Sequence, residues 1–575
     1  MKLITLHSDY IKFKPLKKAL KAVEELSKSD ILEKEILEPL VVLTAIEKGD
    51  DKNSVIRLVN EIKDIAKQVK ATTIVLYPYA HLSSNLALPE TAKNLLEEAY
   101  KALKKEKQFK IVEKAPFGYY KEFELKVKGH PLSELSREIK PDKGKLKPEE
   151  TAGVLGYDYK QLLKEISRTK LDTSKLKDND HRILGQKLNL FSFNETAPGM
   201  VFWHNSGLII FNELIDFWRE LHRKSGYEEI KTPQILDDKL WKISGHWEKY
   251  KDNIFLTKYE NKEMAVKPMN CPGGMLVYKT KPKSYKELPL RVGELGIVHR
   301  QELSGVLGGL FRAVQFTQDD AHIFCTEEQA ESEIIKIIDL IDFVYKKFKL
   351  DIDHVELSTR PAKRIGNDKL WDKAEKILEK TLKNKKMKYK INKGEGAFYG
   401  SKIDFHVKDS LNRTWQLATI QLDFSMPERF DLTYIDKDNK EKRPIIIHRV
   451  IYGALERFIA ILLEHTNGAL PTWLSPIQAR IINFTDRNTK YAEKIIKKIA
   501  DEIPNIRIDA DFESIPLGTK IRNAELMKIN YIIVVGDKEE KDSTIALRKR
   551  GVKDIEQISA DKFIKNIKDE IKERR

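Results

Sequence analysis

The sequence predicts a multidomain protein of mixed α/β and α+β type. Three observations lead there. First, 575 residues and 66.7 kDa exceed what one hydrophobic core holds, so three or four domains are expected. Second, both ends of the chain alternate strand-like and helix-like runs. Third, a long aromatic and apolar stretch lies between them. Residues 3–7, 41–45 and 73–77 read as short buried strands and residues 62–70 as the flank of a helix, giving an α/β domain. Residues 119–127 alternate in period two until Gly129, His130 and Pro131 break the pattern. Residues 141–180 are rich in Lys, Glu and Asp and carry Pro141 and Pro148, which reads as a partly helical linker. A central domain over 181–470 begins with Trp203 and a helical run over 207–224. Pro471, Trp473 and Pro476 mark a rigid connector. The remainder, 475–575, alternates strand and helix and predicts a small α/β domain with a largely parallel sheet.

Composition bounds the partners. Hydrophobic residues make up 41% and charged residues 33%, and mean hydropathy is -0.48, so a soluble protein with real cores is expected and no membrane partner. No secretory signal is legible at the start, and the two cysteines, Cys271 and Cys325, cannot make a disulfide framework. Both points favour a cytoplasmic location. Lys plus Arg number 104 against 88 Asp plus Glu, a formal charge of +16. That excess suits a polyanionic partner, and equally the ion-paired surface of a thermophile.

Two stretches carry chemistry. Gly296-Ile-Val-His-Arg-Gln-Glu302 and Leu307-Gly-Gly-Leu-Phe-Arg-Ala-Val-Gln-Phe-Thr-Gln-Asp-Asp320 read as strand, Gly-rich turn and strand. They place Arg300 and Arg312 to grip an anion across a hairpin, because the planar guanidinium engages phosphate or carboxylate through two bonds. A β-branched run ending at His448 then passes into a core helix with apolar residues Ile451, Leu455, Phe458, Ile459, Leu462 and Leu463. Arg457 within it is either paired by a buried carboxylate or holds a ligand phosphate.

These residues resemble the signature motifs of class II aminoacyl-tRNA synthetases: Glu228-Glu-Ile-Lys-Thr-Pro233 the first, the Arg300 to Asp320 hairpin the second, and Gly453-Ala-Leu-Glu-Arg457 the third. Within that class, Lys267-Pro-Met-Asn-Cys-Pro-Gly273, Phe316-Thr-Gln-Asp-Asp-Ala-His322 and the His448 strand resemble the threonyl-tRNA synthetases. The resemblance implies a class II core built on an antiparallel sheet and a C-terminal α/β anticodon-binding domain. It implies ATP-dependent attachment of L-threonine to tRNA(Thr) through a threonyl-adenylate, in a homodimer, with Mg²⁺ accompanying ATP. Arg300 is then expected at the α-phosphate, Arg457 at the γ-phosphate, Glu302 at the adenine amino group, Arg312 at the bent triphosphate and Phe316 stacked on adenine. Gln318, Tyr399, Gln416 and Gln421 are expected to line the threonine and adenylate pocket, with Met269, Lys402 and His246 near the substrates or the tRNA end. Cys271, His322 and His448 are implied to hold one Zn²⁺ per subunit, a three-ligand set that keeps a position open for substrate. Threonine would bind the metal through its amino and hydroxyl groups, with Asp320 accepting from the hydroxyl, so valine is rejected and serine leaks through.

Proofreading is therefore expected, and the N-terminal domain resembles its place. His7-Ser-Asp-Tyr10, Tyr77-Pro-Tyr-Ala-His-Leu-Ser83, Ala115-Pro-Phe-Gly-Tyr-Tyr-Lys121 and Gly129-His-Pro-Leu-Ser-Glu134 are similar to the archaeal-type editing domain, related to D-aminoacyl-tRNA deacylases, over residues 1–140. The resemblance implies hydrolysis of seryl-tRNA with His81, Tyr120, Lys121 and Glu134 lining the pocket and the RNA's own 2′-hydroxyl helping a water to attack. In the C-terminal domain Glu539 and Arg548 fall where the family reads anticodon bases. Gly274, Gly308 and Val314 depart from residues common in bacterial relatives, and no bacterial-type editing domain is recognisable. Two other readings compete: a non-catalytic tRNA-binding paralogue, disfavoured by the intact arginines and metal-ligand trio, and a prolyl or seryl enzyme, which would not need that trio.

Overall fold

A computed structural model describes residues 1–139 other than 21, 22, 24, 28, 29 and 84, residues 162, 163 and 166, and residues 176–574 other than 410 and 411. Most of the expected linker over 141–180 lies outside the described residues. The chain divides into two compact units, Met1–Tyr157 and Asp158–Arg575.

The first unit is organised by one long strand, β1 (Lys2–Lys18). Its first half pairs with β3 (Pro39–Ala45) and β7 (Glu134–Glu138), its second half with β2 (Lys34–Leu37) and β6 (Tyr119–Val127), all antiparallel. β3 continues in parallel to β4 (Thr73–Pro78) and β5 (Ile111–Lys114). Parallel neighbours need a crossover, supplied by α1 (Lys52–Val69) and α2 (Pro89–Lys104). α1 begins where Asp51 accepts the Ser54 N–H at 2.8 Å, and buries Leu58, Ile62 and Ile65 at helical spacing. α2 adds Leu96, Ala99 and Leu103 to the same core.

The second unit holds an eight-stranded sheet among the described residues. In chain order its strands are β8 (Glu228–Glu229), β9 (Leu290–His299), β10 (Gln315–Cys325), β11 (Ile352–Ser358), β12 (Lys390–Asn392), β13 (Gly400–Lys408), β14 (Thr414–Asp423) and β15 (Ile445–Val450). In space they run β8-β9-β10-β15-β14-β13-β11-β12, antiparallel except for the two end pairings. Helices α3 (Asn205–Lys224), α5 (Glu327–Lys347), α6 (Asp368–Asn384) and α7 (Leu455–Thr466) pack their apolar stripes on one face. The helix α4 (Cys271–Lys279) belongs to a smaller cluster with Met275, Tyr278 and Phe324. Because side chains alternate along a strand, helix cover on one face leaves the other free for polar residues.

Two expectations need correction. α7 starts at Leu455 rather than Ile451, and the strand before it runs past His448 to Val450. Residues 451–453 form a turn instead, because buried Asp319 accepts the backbone N–H groups of Ile451, Tyr452 and Gly453 at 2.9–3.2 Å. Gly453 sits there at φ +77, where an added Cβ would meet the Leu417 carbonyl oxygen at 3.0 Å. The C-terminal sheet, in turn, is only half parallel. β16 (Ala479–Asn483) pairs in parallel with β17 (Ile508–Asp511) and β18 (Tyr531–Val535), but β18, β19 (Ile545–Lys549) and β20 (Ile555–Ile558) are antiparallel. The links after β18 and β19 are too short for a right-handed crossover, so they close as hairpins. α8 (Thr489–Glu502), α9 (Leu517–Leu526) and α10 (Ala560–Lys572) cover this sheet. No helix among the described residues is long and apolar enough to cross a membrane.

Lys267 anchors the loop before α4. Its ammonium donates to Glu294 Oε1 at 2.8 Å and Thr232 Oγ1 at 2.9 Å, with both charged side chains at most 2% exposed. Lys267→Met leaves Glu294 charged and buried without its partner, which should lower unfolding free energy by about 3–5 kcal/mol. Urea unfolding checks it; the double variant Lys267→Met/Glu294→Leu should recover most of the loss.

Candidate active site

The polar face of the sheet of the second unit carries a cavity of about 630 Å³. Strand register explains its walls. On β10, Phe316, Gln318, Asp320 and His322 recur at every second residue and line the cavity, while Thr317, Asp319, Ala321 and Ile323 face the other way. His322 lies opposite His448 of β15, His448 opposite Gln421 of β14, and Gln421 opposite Lys402 of β13. Four strands thus bring one row of functional side chains into line.

At one end of the cavity, Cys271, His322 and His448 present ligand atoms within 4.8 Å of one another, all three residues buried. Cys271 arrives from the start of α4. Burial and the nearby Asp320 and Asp423 carboxylates push its thiol well above the ordinary range, and burial with the neighbouring His448 holds His322 well below. The His448 Nε2–H donates to Asp423 Oδ2 at 3.1 Å, which leaves the Nδ1 lone pair for a cation. Two imidazoles, one sulfur and a carboxylate behind one imidazole fit Zn²⁺, and a cation would reverse the pressure on the thiol. Gly274 abuts this set: an added Cβ would stand 3.4 Å from His322 Nδ1.

Next to it, Asp320 Oδ2 accepts from Asn270 Nδ2 at 2.6 Å, and burial pushes this carboxyl up to about 6. Asn270 fits only because residue 296 is glycine, whose Cβ would collide with the Asn270 amide at 2.0 Å. The Tyr399 hydroxyl donates to Gln421. Lys402 and Gln416 both donate to Asp404, at 2.7 and 2.6 Å. Met269 lines the same wall, whereas His246 is buried behind Tyr399 with ring centroids 6.1 Å apart and does not line the cavity.

The other end is cationic. Arg300 lies over the Phe316 ring at 5.1 Å and donates to the Pro268 carbonyl at 3.2 Å. Arg312 pairs with Glu302 at 2.8 Å. Arg457 donates from Nε to the Phe311 carbonyl at 2.9 Å and has no carboxylate within 4.0 Å among the described residues. Burial, then the charges of Arg312 and Arg300, lower its pKa. Of the two alternatives for this arginine, a paired carboxylate is absent there.

In the first unit, His81, Tyr120 and Lys121 line a cavity of about 360 Å³ with Tyr77 and Phe117. Glu134, the exposed first residue of β7, is not among its lining residues. Lys121 donates to the carbonyls of Pro116 and Tyr119 at 2.9 and 3.0 Å and stands 5.1 Å over the Tyr77 ring. Burial lowers its pKa to about 8 and raises that of Tyr77 to about 12. Near the C-terminal sheet, Glu539 of the short helix Asp537–Asp542 accepts from Gly536 N–H at 3.0 Å and from Gln557 at 2.7 Å, and Arg548 is half-buried on β19.

Residues 1–139 match the archaea-specific editing domain of threonyl-tRNA synthetase, residues 255–466 the tRNA synthetase class II core domain (G, H, P, S and T), and residues 478–570 an anticodon binding domain. A threonine–tRNA ligase of Carboxydothermus hydrogenoformans is 52% identical over 399 residues, 69% of this chain and 62% of the relative. The crystal structure of the RNA binding domain of threonyl-tRNA synthetase from Cryptosporidium parvum is 40% identical, with TM-score 0.66, over 68% of this chain and 98% of that one. The chain belongs to the threonyl-tRNA synthetase family. A putative threonyl-tRNA synthetase from Aeropyrum pernix is 28% identical with TM-score 0.59, over 68% of this chain and 95% of that one. The chain spans about 62% of the length of the first curated relatives it matches.

Sequence reasoning missed the carboxylates that hold the family's site together. Asp319 was visible beside Asp320, but the strand phase sends it to the opposite face, onto the turn before α7. Asp404, two residues after Lys402, shares its face and joins Lys402, Gln416, Thr419 and Ser358. Asp423 backs His448, and Glu456 accepts the Thr317 N–H at 2.9 Å. Strand phase was the available signal for Asp404.

The low pKa of Lys121 has a sign that can be tested. Between about pH 8 and the model-compound value of 10.5 the unfolded chain binds more protons at this site, so stability rises with pH across that window. Lys121→Met should therefore stabilise the protein at pH 7, by roughly 1–3 kcal/mol, and lose the advantage above pH 10.5. Thermal unfolding of both chains against pH measures it; a gap that does not change with pH contradicts the assignment.

Proposed function

We propose that this protein attaches L-threonine to tRNA(Thr) at the expense of ATP, and that its N-terminal unit hydrolyses mischarged seryl-tRNA(Thr). The observation that carries this reading is one cavity holding three arginines at one end and a Cys-His-His set at the other. The first fits a triphosphate, the second an amino acid with a side-chain hydroxyl.

The threonine carboxylate attacks the α-phosphorus, pyrophosphate leaves, and a ribose hydroxyl of the tRNA end then takes the acyl group as AMP departs. Arg300 bonds the α-phosphate and disperses the charge that builds on it, Arg457 takes the γ-phosphate, and Arg312 steadies the bent triphosphate, accompanied by Mg²⁺. Glu302 accepts from the adenine amino group and Phe316 stacks on the ring. No nucleophilic side chain is required. Lys402, fixed by Asp404, faces the reacting carboxylate; Gln318 and Gln416 orient the adenylate; Met269, Tyr399 and Gln421 shape the amino-acid pocket. When bound to Cys271, His322 and His448, Zn²⁺ supplies a Lewis-acid site for the amino and hydroxyl groups of threonine. Asp320 accepts a hydrogen bond from that hydroxyl. A site that demands a hydroxyl rejects valine by roughly 10⁴–10⁵, but distinguishes serine, short of one methyl, by only about 10–200-fold. Editing follows from that asymmetry: Lys121, His81 and Tyr120, with Glu134 nearby in the chain's editing unit, orient water and counter negative charge on the ester. Glu539 and Arg548 read anticodon bases, and the protein works in the cytoplasm as a homodimer.

ATP/pyrophosphate exchange with threonine, serine, valine and proline tests the reading on the full chain. Exchange is expected with threonine, more weakly with serine and not with valine or proline; silence with all four in folded, zinc-loaded protein overturns it. Cys271→Ser should lower threonine-dependent exchange at least about 100-fold with circular dichroism unchanged. Lys121→Met should let seryl-tRNA accumulate without slowing threonine activation, and unchanged seryl-tRNA hydrolysis would remove Lys121 from the editing step.

A further inference from the structure

The polar row on β13 continues past the cavity. After Lys402 and Asp404 comes His406 on the same face, paired in register with His354 of β11, while Glu356 of β11 lies opposite Asp404. The two imidazoles stack with centroids 4.3 Å apart and planes 11° from parallel. His354, Glu356 and His406 offer ligand atoms all within 4.8 Å of one another.

Two of the three, His354 and Glu356, are oriented from behind, and the third, His406, leaves a buried ring nitrogen unused. The His354 Nδ1–H donates to Asp353 Oδ2 at 2.7 Å, which turns Nε2 towards Glu356, 3.3 Å from its Oε1. Glu356 is steadied by Asn392, whose amide donates to Oε2 at 2.8 Å. His406 Nε2 is buried and makes no hydrogen bond; Glu356 Oε2 stands 3.6 Å away, beyond hydrogen-bond reach. Outer partners on the far side and lone pairs converging on the near side are what a cation site looks like before the cation arrives. The side chains keep 17–22% of their surface exposed, so entry from solvent is open.

We propose that His354, Glu356 and His406 bind a divalent first-row transition-metal cation, Zn²⁺ or its neighbours Co²⁺ and Ni²⁺, at a site separate from the Cys271 set. Two imidazoles and one carboxylate suit such cations, and the remaining positions fall to water. The cation ties β11 to β13 beside Asp404, the carboxylate that holds Lys402 and Gln416. Its role is a clamp on that part of the sheet, not chemistry on the substrate.

Titration of the metal-stripped full chain with Co²⁺, followed by visible absorption and metal analysis, tests this. Thiolate ligation gives Cys271-bound Co²⁺ a charge-transfer band that a nitrogen and oxygen site lacks, so the sites are read separately. The starting chain should take two equivalents. Cys271→Ser should keep one, without the thiolate band, and Co²⁺ should raise its unfolding temperature. Adding His406→Ala or Glu356→Gln to Cys271→Ser should weaken that equivalent at least tenfold and abolish the thermal shift. Two different variants guard against simple misfolding, as do unchanged circular dichroism spectra. If Cys271→Ser takes up no Co²⁺ in the micromolar range, or if the added substitutions leave its affinity unchanged, the proposal fails. If the starting chain takes one equivalent, lacking the thiolate band and lost in His406→Ala, this site stands and the Cys271 set is the one refuted.

Discussion

One buried carboxylate sets the geometry on which the rest of the site depends. Asp319 is fully buried on the helix-covered face of β10, and its two oxygens accept three successive backbone N–H groups of the turn after β15. Without them those groups would be buried donors lacking partners, each costing about 1–3 kcal/mol. With them, β15 must stop where it does and α7 must start two residues beyond Gly453. Glu456, in the first turn of α7, then reaches back to the Thr317 N–H of the same strand. The helix is pinned to β10 at two levels, and Arg457 follows Glu456 into the cavity. Burial pushes both carboxyls up, to about 7. A raised carboxyl means the charged form is disfavoured in the fold, so these groups subtract stability as pH rises from the ordinary carboxylate range towards 7. The structure tolerates that cost at the place where Arg457 is fixed at the cavity wall.

The same logic says why much of the site was legible in sequence. Period-two alternation on β10 sorts Phe316, Gln318, Asp320 and His322 from Thr317, Asp319, Ala321 and Ile323 without any coordinates. The Gly-rich hairpin and the Arg457 helix were also readable. What joins them was not: that His448 faces His322, or that Lys402 faces Gln421, is a matter of strand register between segments far apart in the chain. The family resemblance brought His322 and His448 together beforehand, while the pairing of Lys402 with Gln421 came from the structure. The carboxylates Asp404 and Asp423 went unread because their part is to hold Lys402, Gln416 and His448 in place.

The two errors of the fold reading have local causes. Ile451 fits the helical spacing of α7, yet Asp319 captures its N–H before a helix can. The C-terminal sheet alternates strand and helix for three strands, which suggests parallel pairing, but the helix between β18 and β19, Asp537–Asp542, is only six residues long. That length cannot carry the chain across the sheet, so β19 returns antiparallel beside β18. Periodicity identified the first three strands and two helices there, and connection length decided the direction of the strands that follow.

Charge balance across the cavity gives the strongest physical constraint on its occupant. Arg300, Arg312 and Arg457 share one end with a single pairing carboxylate, Glu302, which Arg312 takes. Arg457 is half-buried, donates to a backbone carbonyl, and has its pKa lowered first by burial and then by the charges of Arg312 and Arg300. Such an arrangement is unfavourable on its own, because a desolvated guanidinium without a counter-ion forgoes hydration and gains little in return. At the opposite end, Cys271, His322 and His448 stand beside the carboxylates of Asp320 and Asp423, a donor set that suits a cation. A molecule that relieves both ends must be polyanionic at one and bring or meet a cation at the other. Under the function proposed above, a nucleoside triphosphate meets the first demand and an amino acid held on a metal the second.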